Sequence, residues 1–342
     1  MSDRVSEQPV PLGRTRRFRV LSERDTRAIF DSPTALELAR VMLRTQATDG
    51  SLLSSPSAMF LDASPVGGPY FKFKAATVGR DVSGIRLIAR RGGNTGYDAS
   101  NFTAVYDHEQ GALTGLVSEL WLSRLRTAAF GVASVEPLVR AGPLMVGLFG
   151  AGDVATELVH LLALALPVRE LRVNSRRMDR ALAFVERLGP AVGFPMRAES
   201  DPRRLVEDAD LVITATEATE PLVKAGWLER GSVLCSMGSH NEVAFEVLGE
   251  VDRFVVDDLD YASVMGDAAA WIDQGRATRE TLLARVDAFA SEVVMGSKPG
   301  RMEAGDRILA LIQGVATGDV AFAKRALDVA AETGVGSVVE LG

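Results

Sequence analysis

A glycine loop between an apolar run and a helical pattern is the feature that points most directly to chemistry. Gly150, Gly152 and Ala155 form a Gly-x-Gly-x-x-Ala pattern directly after the apolar residues 144–149. Gly150 permits a tight turn, Gly152 lets a ligand approach the backbone, and Ala155 keeps the helix close to the sheet. Free N–H groups at the helix start attract anions. The residues predicted to hold a dinucleotide pyrophosphate are Gly150, Gly152, Asp153 and Val154.

The end of the second predicted strand bears on which dinucleotide is bound. An NAD-binding domain usually carries an acidic residue about 20 residues beyond the glycines, where it binds the ribose hydroxyls. This sequence instead has Asn174, Ser175, Arg176 and Arg177. A hydroxyl and two guanidiniums suit a 2′-phosphate, which they bind through charge-assisted hydrogen bonds. We therefore predict NADP at these four residues, with NAD as the alternative; solvated arginines at a helix start are the competing interpretation.

Arg126 is a further candidate for chemistry. It lies in a predicted helix at about 118–139, among Leu125, Ala128 and Ala129. Because burying an unpaired charge is costly, such an arginine usually has an anionic partner. The partner is either a ligand carboxylate, which suits the planar guanidinium, or a structural acidic residue.

These residues need a parallel sheet to position them. From residue 144 onward, strand-length apolar runs alternate with helical patterns, which is typical of a doubly wound sheet. The predicted elements are strand 144–149, helix 153–166, strand 170–174, helix 178–188 and strands 210–214, 232–236 and 253–256.

The flanking segments have a different pattern. Residues 23–46 predict a helix, and the short β runs 70–78, 84–89, 102–106 and 112–117 predict an antiparallel meander. Residues 306–333 predict a helix that packs back onto the first segment. The fold class is therefore α/β: a Rossmann doubly wound domain, 126–305, inserted in a discontinuous α+β domain, 1–125 plus 306–342, for substrate binding and dimerisation.

Composition argues against several classes of protein. The net charge of −7 disfavours nucleic acid as a partner, and the arginine cluster at 14–19 is expected to lie in a solvated arm. The single cysteine, Cys235, leaves no internal disulfide, and no metal-ligand spacing is present. The apolar run 158–168 is too short for a membrane span. We expect a cytoplasmic protein without a metal site.

Five motifs occur together along most of the chain. They are Arg126-Thr127-Ala128-Ala129, Gly150-Ala151-Gly152, Ala209–Thr216 with Pro221, Met237-Gly238-Ser239 with Glu246, and Val255–Asp258. In this combination the chain resembles the ornithine cyclodeaminase and mu-crystallin family. The resemblance implies a nucleotide domain inserted in a partner domain, and a homodimer formed through that partner domain.

The resemblance also implies roles for particular residues. Arg126 is expected to bind the substrate α-carboxylate, and Thr127 to contact the cofactor phosphates. Lys74 matches a family lysine beside the substrate, where it binds the carboxylate or takes part in proton transfer. Strand alternation puts Lys72 on the same face, so the two lysines either flank a site or are both solvated.

His240 marks a departure from the family. In ornithine cyclodeaminases the loop after the fifth strand reads Gly-Ala-Asp-x-Pro-Gly-Lys-x-Glu, and its aspartate assists the proton steps. With the register fixed by Gly238 and Glu246, His240 stands where that aspartate is expected. Histidine titrates at about pH 6.5, against about 4 for aspartate, and donates a proton as imidazolium. That property suits reduction of an imine; a loop histidine hydrogen-bonded to backbone is the alternative.

We therefore predict an NADP(H)-dependent oxidoreductase that acts on the C–N bond of a small amino or imino acid. The predicted catalytic residues are Lys74, Arg126 and His240, and the nicotinamide side is expected at Ala215, Thr216, Met237 and Gly238. Two alternatives remain open. One is a cyclodeaminase that recycles NAD within each turnover of ornithine or lysine, and the other is a non-enzymatic NADP-binding protein.

Overall fold

The computed structural model describes residues 16–48, 51–90 and 101–341. Its strands are β1 (Arg16–Leu21), β2 (Ser51–Leu53), β3 (Met59–Asp62), β4 (Tyr70–Val78), β5 (Val82–Arg90), β6 (Phe102–Asp107), β7 (Leu113–Ser118), β8 (Leu144–Phe149), β9 (Val168–Asn174), β10 (Met196–Ala198), β11 (Leu211–Thr214), β12 (Val233–Ser236), β13 (Arg253–Val256), β14 (Ala288–Phe289), β15 (Ile308–Leu311) and β16 (Ser337–Leu341). Its α-helices are α1 (Glu23–Ile29), α2 (Ser32–Gln46), α3 (Leu122–Val135), α4 (Asp153–Ala165), α5 (Met178–Leu188), α6 (Pro202–Val206), α7 (Leu259–Ala262), α8 (Gly266–Asp273), α9 (Arg279–Arg285), α10 (Ala290–Met295) and α11 (Ala316–Thr333).

Two eight-stranded sheets organise the described residues. The first has the order β16-β1-β7-β6-β5-β4-β2, with β3 paired to β4, and its strands are antiparallel except for the pair β1 and β7. The second has the order β10-β9-β8-β11-β12-β15-β13-β14 and is parallel throughout. The predicted α/β class, with a Rossmann-type parallel sheet inserted between parts of another sheet, is confirmed.

The carboxyl ends of the parallel strands lie level with one another. Phe149 pairs in register with Asn174 and with Thr214, and Thr214 pairs with Ser236. Leu311 in turn aligns with Ser236 and with Val256 at the end of β13. The loops after these strands therefore meet at one edge, which is where ligands bind in open α/β sheets.

The buried helix α3 links the two sheets. Its residues Leu125, Ala128 and Ala129 belong to a core that extends from α2 and α11 on one side to α4 and β8 on the other. A second core covers the opposite face of the parallel sheet around Trp271 and Phe254. Arg126 is thus carried on a helix that packs against both parts of this core.

Three expectations about the elements were wrong. The segment 23–46 forms two helices, because Asp31 caps α2 by accepting the N–H of Thr34 at 2.8 Å and Pro33 follows. The segment 306–333 begins with β15, whose four buried residues insert between β12 and β13, and becomes helical only at residue 316. The solvated arm is wrong from residue 16 onward, since β1 pairs with β7 and β16.

The domain division at residues 125 and 306 stays a prediction, although β15 lies in the parallel sheet, not with the first domain. In the described ranges no helix is long and apolar enough to cross a membrane. Within the same ranges no group of three His, Cys, Asp or Glu side chains could hold a metal ion.

Candidate active site

The glycine loop has the geometry that a dinucleotide pyrophosphate requires. Gly150 has φ +120°, and a Cβ there would lie 2.5 Å from the carbonyl oxygen of Ala215. A Cβ on Gly152 would meet nothing within 4 Å, so open space lies in front of this backbone. Gly152 is also the N-cap residue of α4, which directs its first N–H groups into that space. The loop therefore fits the phosphates of a dinucleotide.

The other residues predicted to contact the cofactor phosphates lie around the glycine loop. Asp153 is exposed and pairs with Arg124 at 3.0 Å, so its negative charge is compensated. Val154 is half-buried on the first turn of α4, and Thr127 is half-buried on the neighbouring helix α3. All of these residues lie at the carboxyl edge of β8 or on the helix packed beside it.

The four residues after β9 differ in their availability. Asn174 is buried, and its amide donates to the carbonyl oxygen of Glu199 at 2.8 Å. Arg177 is exposed and pairs with Asp179, while Ser175 is half-buried. Arg176 is exposed and forms no ion pair or hydrogen bond within the described residues. Of the two guanidiniums, only that of Arg176 is thus uncommitted.

A buried carboxylate that was not predicted from the sequence organises the predicted nicotinamide side. Glu242 accepts hydrogen bonds from the backbone N–H groups of Thr216, at 2.7 Å, and Gly238, at 2.9 Å. It also accepts one from the hydroxyl of Thr214 at 2.6 Å. Burial raises the pKa of Glu242, and these hydrogen bonds oppose the rise. The loops after β11 and β12 are thus joined through one side chain.

A second buried carboxylate supports the first. Asp267 accepts the N–H groups of Glu242 and Val243, at 2.6 and 2.8 Å. Burial raises the pKa of Asp267 to about 7, and the hydrogen bond from Ser236 opposes this rise. Ala215 is half-buried and Met237 is buried at the same edge, where Met237 packs against Gly131 of α3.

His240 lies two residues beyond Gly238, on the loop after β12. It is exposed, and its ring forms no hydrogen bond or ion pair with any described residue. Glu246, which fixed the register of this loop in the sequence analysis, is exposed and pairs with Arg276. The carboxylate beside Gly238 is that of Glu242. The correspondence of His240 to the family aspartate stays a prediction.

Three cationic side chains converge on the carboxylate of Asp319 in α11. Its Oδ1 lies 2.6 Å from Nε of Arg126 and 2.9 Å from Nη1 of Arg86. Its Oδ2 lies 3.4 Å from Nζ of Lys74. All four side chains are buried. Burial alone would raise the pKa of Asp319, but Arg126, Arg86 and Lys74 outweigh it and lower the pKa to about 2.

The guanidinium of Arg126 is buried without a hydrogen bond. Its Nε and Nη1 have no hydrogen-bond acceptor, although Nε is in ionic contact with Asp319. Gly314, at φ +75°, is in contact with Nη1, where a Cβ would collide. The side-chain nitrogen of Gln313 and the hydroxyl of Thr317, on either side of this glycine, are also buried without a partner. Buried donors of this kind require an acceptor from elsewhere.

Lys74 is held beside Arg126 by contacts on three sides. Its Nζ donates to the carbonyl oxygen of Gly314 at 2.8 Å, contacts Asp319, and lies 4.1 Å from the ring centroid of Tyr261. Asp257 fixes the Gly314 turn by accepting its N–H. Burial lowers the pKa of Lys74 to about 8, with Asp319 opposing the change and Arg126 adding to it. Lys74 therefore loses its proton more readily than an ordinary lysine.

Arg86 and Glu119 complete the buried cluster. Glu119 accepts the hydroxyl of Thr103 at 2.8 Å, and its other oxygen lies 3.7 Å from Nε of Arg86. Burial raises the pKa of Glu119 to about 7, and the positive charge of Arg86 opposes this rise. The cluster combines side chains from β4, β5, α3 and α11 with that of Glu119, which directly follows β7.

The family assignment follows from this arrangement together with the sequence. The sequence pattern of the ornithine cyclodeaminase/mu-crystallin family matches residues 74–334. The chain belongs to this family. The matched residues extend from Lys74 through Arg126, the glycine loop and Asp319. The predicted resemblance is confirmed.

Proteins similar to this chain are named as reductases, dehydrogenases and cyclodeaminases. The chain is 34% identical over 238 residues to an uncharacterised cyclodeaminase of Sinorhizobium fredii, covering 66% of this chain and 70% of the relative. It is 24% identical over 239 residues to the Δ1-pyrroline-2-carboxylate reductase of Bacillus cereus, covering 68% and 72%. An archaeal alanine dehydrogenase dimer with bound NAD has the same fold, with a TM-score of 0.86, 22% identity, and 95% and 100% of the two chains covered.

The structure therefore brings together two of the three predicted catalytic residues. Lys74 and Arg126 share the carboxylate of Asp319, whereas no described contact joins His240 to them. Asp319, Arg86 and Glu242 were not predicted from the sequence. Asp319 had a usable signal, because it is an isolated carboxylate in the apolar stretch 315–323, the same pattern that identified Arg126.

Proposed function

We propose that this family member is an NADP(H)-dependent oxidoreductase that acts on the C–N bond of an amino or imino acid. The observation that carries the proposal is the guanidinium of Arg126, which is buried without a hydrogen bond beside the ammonium of Lys74. A carboxylate accepts two parallel hydrogen bonds from a guanidinium and so satisfies such donors. The kinship with a pyrroline-2-carboxylate reductase supports the same substrate class.

The cofactor would bind at the carboxyl edge of the parallel sheet. Gly150, Gly152 and the start of α4 would bind the pyrophosphate, and Thr127 would contact it from α3. Ser175 and Arg176 would bind the 2′-phosphate, which favours NADP over NAD. When bound, the nicotinamide exchanges a hydride with the α-carbon of the substrate.

The side chains of the chain contribute mainly by positioning and charge. Arg126 and Lys74 would bind the substrate carboxylate and orient the C–N bond toward the edge formed by Ala215, Thr216, Met237 and Gly238. Glu242 holds the two loops of that edge together. His240, on the exposed loop beyond Gly238, would donate the proton to nitrogen when an imine is reduced.

Replacing Arg126 tests the carboxylate site. Arg126→Lys keeps the charge but loses the planar pair of donors, so kcat/KM for an α-imino acid is expected to fall about a hundredfold, mainly through KM. NADPH binding, followed by fluorescence, is expected to stay unchanged. Arg80→Lys, at an exposed arginine, is the matched control. Unchanged KM in Arg126→Lys, with normal turnover, would overturn the proposal.

Replacing His240 tests the proton donor. His240→Asn keeps a polar side chain of similar size but cannot donate as a cation, so kcat for imine reduction is expected to fall about a hundredfold. A variant with the wild-type kcat would remove His240 from the proposed mechanism.

A further inference from the structure

A second lysine lies beside Lys74 without an anionic partner. Lys72 is two residues earlier on β4, on the same face, and is half-buried. Its Nζ lies 3.1 Å from the hydroxyl oxygen of Tyr261. Within residues 16–48, 51–90 and 101–341 it forms no ion pair with a carboxylate, whereas Lys74 contacts Asp319.

Tyr261 lies between the two lysines and is buried. Its ring centroid is 4.1 Å from Nζ of Lys74 and 5.8 Å from Nζ of Lys72. Asp258, the N-cap of α7, fixes its backbone by accepting its N–H at 2.6 Å. Because an ammonium only donates, a charged Lys72 leaves the phenol hydrogen of Tyr261 without an acceptor among the described residues. The ammonium of Lys72 and the hydroxyl of Tyr261 are thus two neighbouring hydrogen-bond donors with no anion between them among the described residues.

Four of the charged groups around Lys72 are cationic, namely Lys74, Arg86, Arg90 and Arg126. The carboxylate of Asp319 also interacts with Lys72, but it already pairs with Lys74, Arg86 and Arg126. Burial and these cations lower the pKa of Lys72 well below its ordinary value. The carboxylates that follow β13, Asp257 and Asp258, accept hydrogen bonds from backbone N–H groups instead of from Lys72. An anionic ligand group here would stabilise the charged lysine.

We propose that Lys72 and Tyr261 form a second anion-binding subsite, and that the substrate is an α-imino or α-amino acid with a second carboxylate. The inference rests on the proposed function, in which Arg126 and Lys74 bind the first carboxylate. Residues two apart on a strand are roughly 7 Å apart, a spacing that suits the two ends of a short dicarboxylate.

Carboxylate binding tests the subsite without turnover. Succinate and butyrate have the same four-carbon chain and carry two carboxylates and one. By isothermal titration calorimetry of the whole protein, with and without NADP⁺, succinate is expected to bind at least about tenfold more tightly.

Variants assign the preference to the two residues. Lys72→Met is expected to abolish the succinate preference while keeping butyrate affinity. Tyr261→Phe keeps the ring beside Lys74 and is expected to reduce the preference severalfold. Lys224→Met, at an exposed lysine elsewhere, is the matched control and is expected to change neither. Circular dichroism checks the folding of each variant, and Tyr261→Phe serves if Lys72→Met does not fold.

The outcomes separate this inference from the proposed function. Equal affinities for succinate and butyrate overturn the second subsite alone, as does a succinate preference that survives both substitutions. Failure of the wild-type protein to bind either carboxylate overturns the subsite and the proposed carboxylate site together.

Discussion

Nε of Arg126 lies 2.6 Å from Oδ1 of Asp319, and both side chains are buried. The contact joins α3 to α11. In chain order α3 precedes the first strand of the parallel sheet, and α11 follows its last strand, β15. Asp319 thereby fixes one side of the guanidinium and leaves Nη1 facing Gly314 without an acceptor. The carboxylate acts through Arg126, so we regard Asp319 as a positioning residue.

Removing this carboxylate is expected to destabilise the protein strongly. Asp319→Asn leaves Arg86, Arg126 and Lys74 without their common anion, which costs about 3–5 kcal/mol for a buried ion pair. Asp328→Asn, on the same helix, breaks a half-exposed pair with Lys324 and is the matched control, expected to cost less than about 0.5 kcal/mol. Urea unfolding measures both, and equal losses would contradict the role of Asp319.

Carboxylate binding is expected to weaken above about pH 8. Burial lowers the pKa of Lys74 to about 8, and the ammonium form, present below that pH, is the form that binds an anion. Affinity for butyrate should therefore fall by up to about tenfold per pH unit above pH 8. Calorimetric titrations from pH 6.5 to 9.5 measure the effect.

The matched variant for this pH dependence is Lys74→Met. It is expected to bind butyrate weakly at every pH, without the loss above pH 8. A wild-type affinity that is constant to pH 9.5 would rule out Lys74 as a carboxylate ligand.

The two glycines of the loop are expected to respond differently to alanine. In Gly152→Ala the new methyl group enters open space, so the free protein keeps its stability while NADPH affinity falls about tenfold or more. In Gly150→Ala, positive φ and the contact with Ala215 cost about 1–3 kcal/mol of stability. Thermal melts without cofactor and NADPH fluorescence titrations separate the effects. Undiminished NADPH binding by Gly152→Ala would contradict a pyrophosphate site here.

Cofactor preference is expected to depend on Arg176 more than on Arg177. Arg176 is exposed without a partner in the described residues, whereas Arg177 already pairs with Asp179. Loss of a charge-assisted hydrogen bond weakens binding by about 1.5–3 kcal/mol, so Arg176→Ala should bind NADPH about tenfold to a hundredfold less tightly and NADH equally well. Equal weakening of both cofactors would show that Arg176 does not contact a 2′-phosphate.

The parallel sheet was largely predictable because its local signals agree. The apolar run of β8 is followed by the glycines of a tight turn and then by a helix. The bounds of β8 were predicted as observed. The strand β15 was missed because its four apolar residues stand next to a long helix and carry no alternation. Its place between β12 and β13 depends on contacts distant in sequence.

The candidate site was predictable only in part for a similar reason. Arg126 and Lys74 were found from a buried-charge argument and a family motif. Their common partner, Asp319, lies far along the chain, and Glu242 joins two loops that meet only after the sheet has formed. Such partners are set by tertiary packing, which local patterns do not encode.

The most direct test of the proposed chemistry is the stoichiometry of cofactor oxidation. The wild-type protein is incubated with NADPH or NADH and a panel of α-imino acids, including Δ1-pyrroline-2-carboxylate, while absorbance at about 340 nm and the amino acid product are followed. We expect one NADPH oxidised for each amino acid formed. In a parallel incubation, the protein is given ornithine or lysine. Formation of proline or pipecolate and ammonia there, without net change in the cofactor, would contradict the proposed reductase and identify a cyclodeaminase.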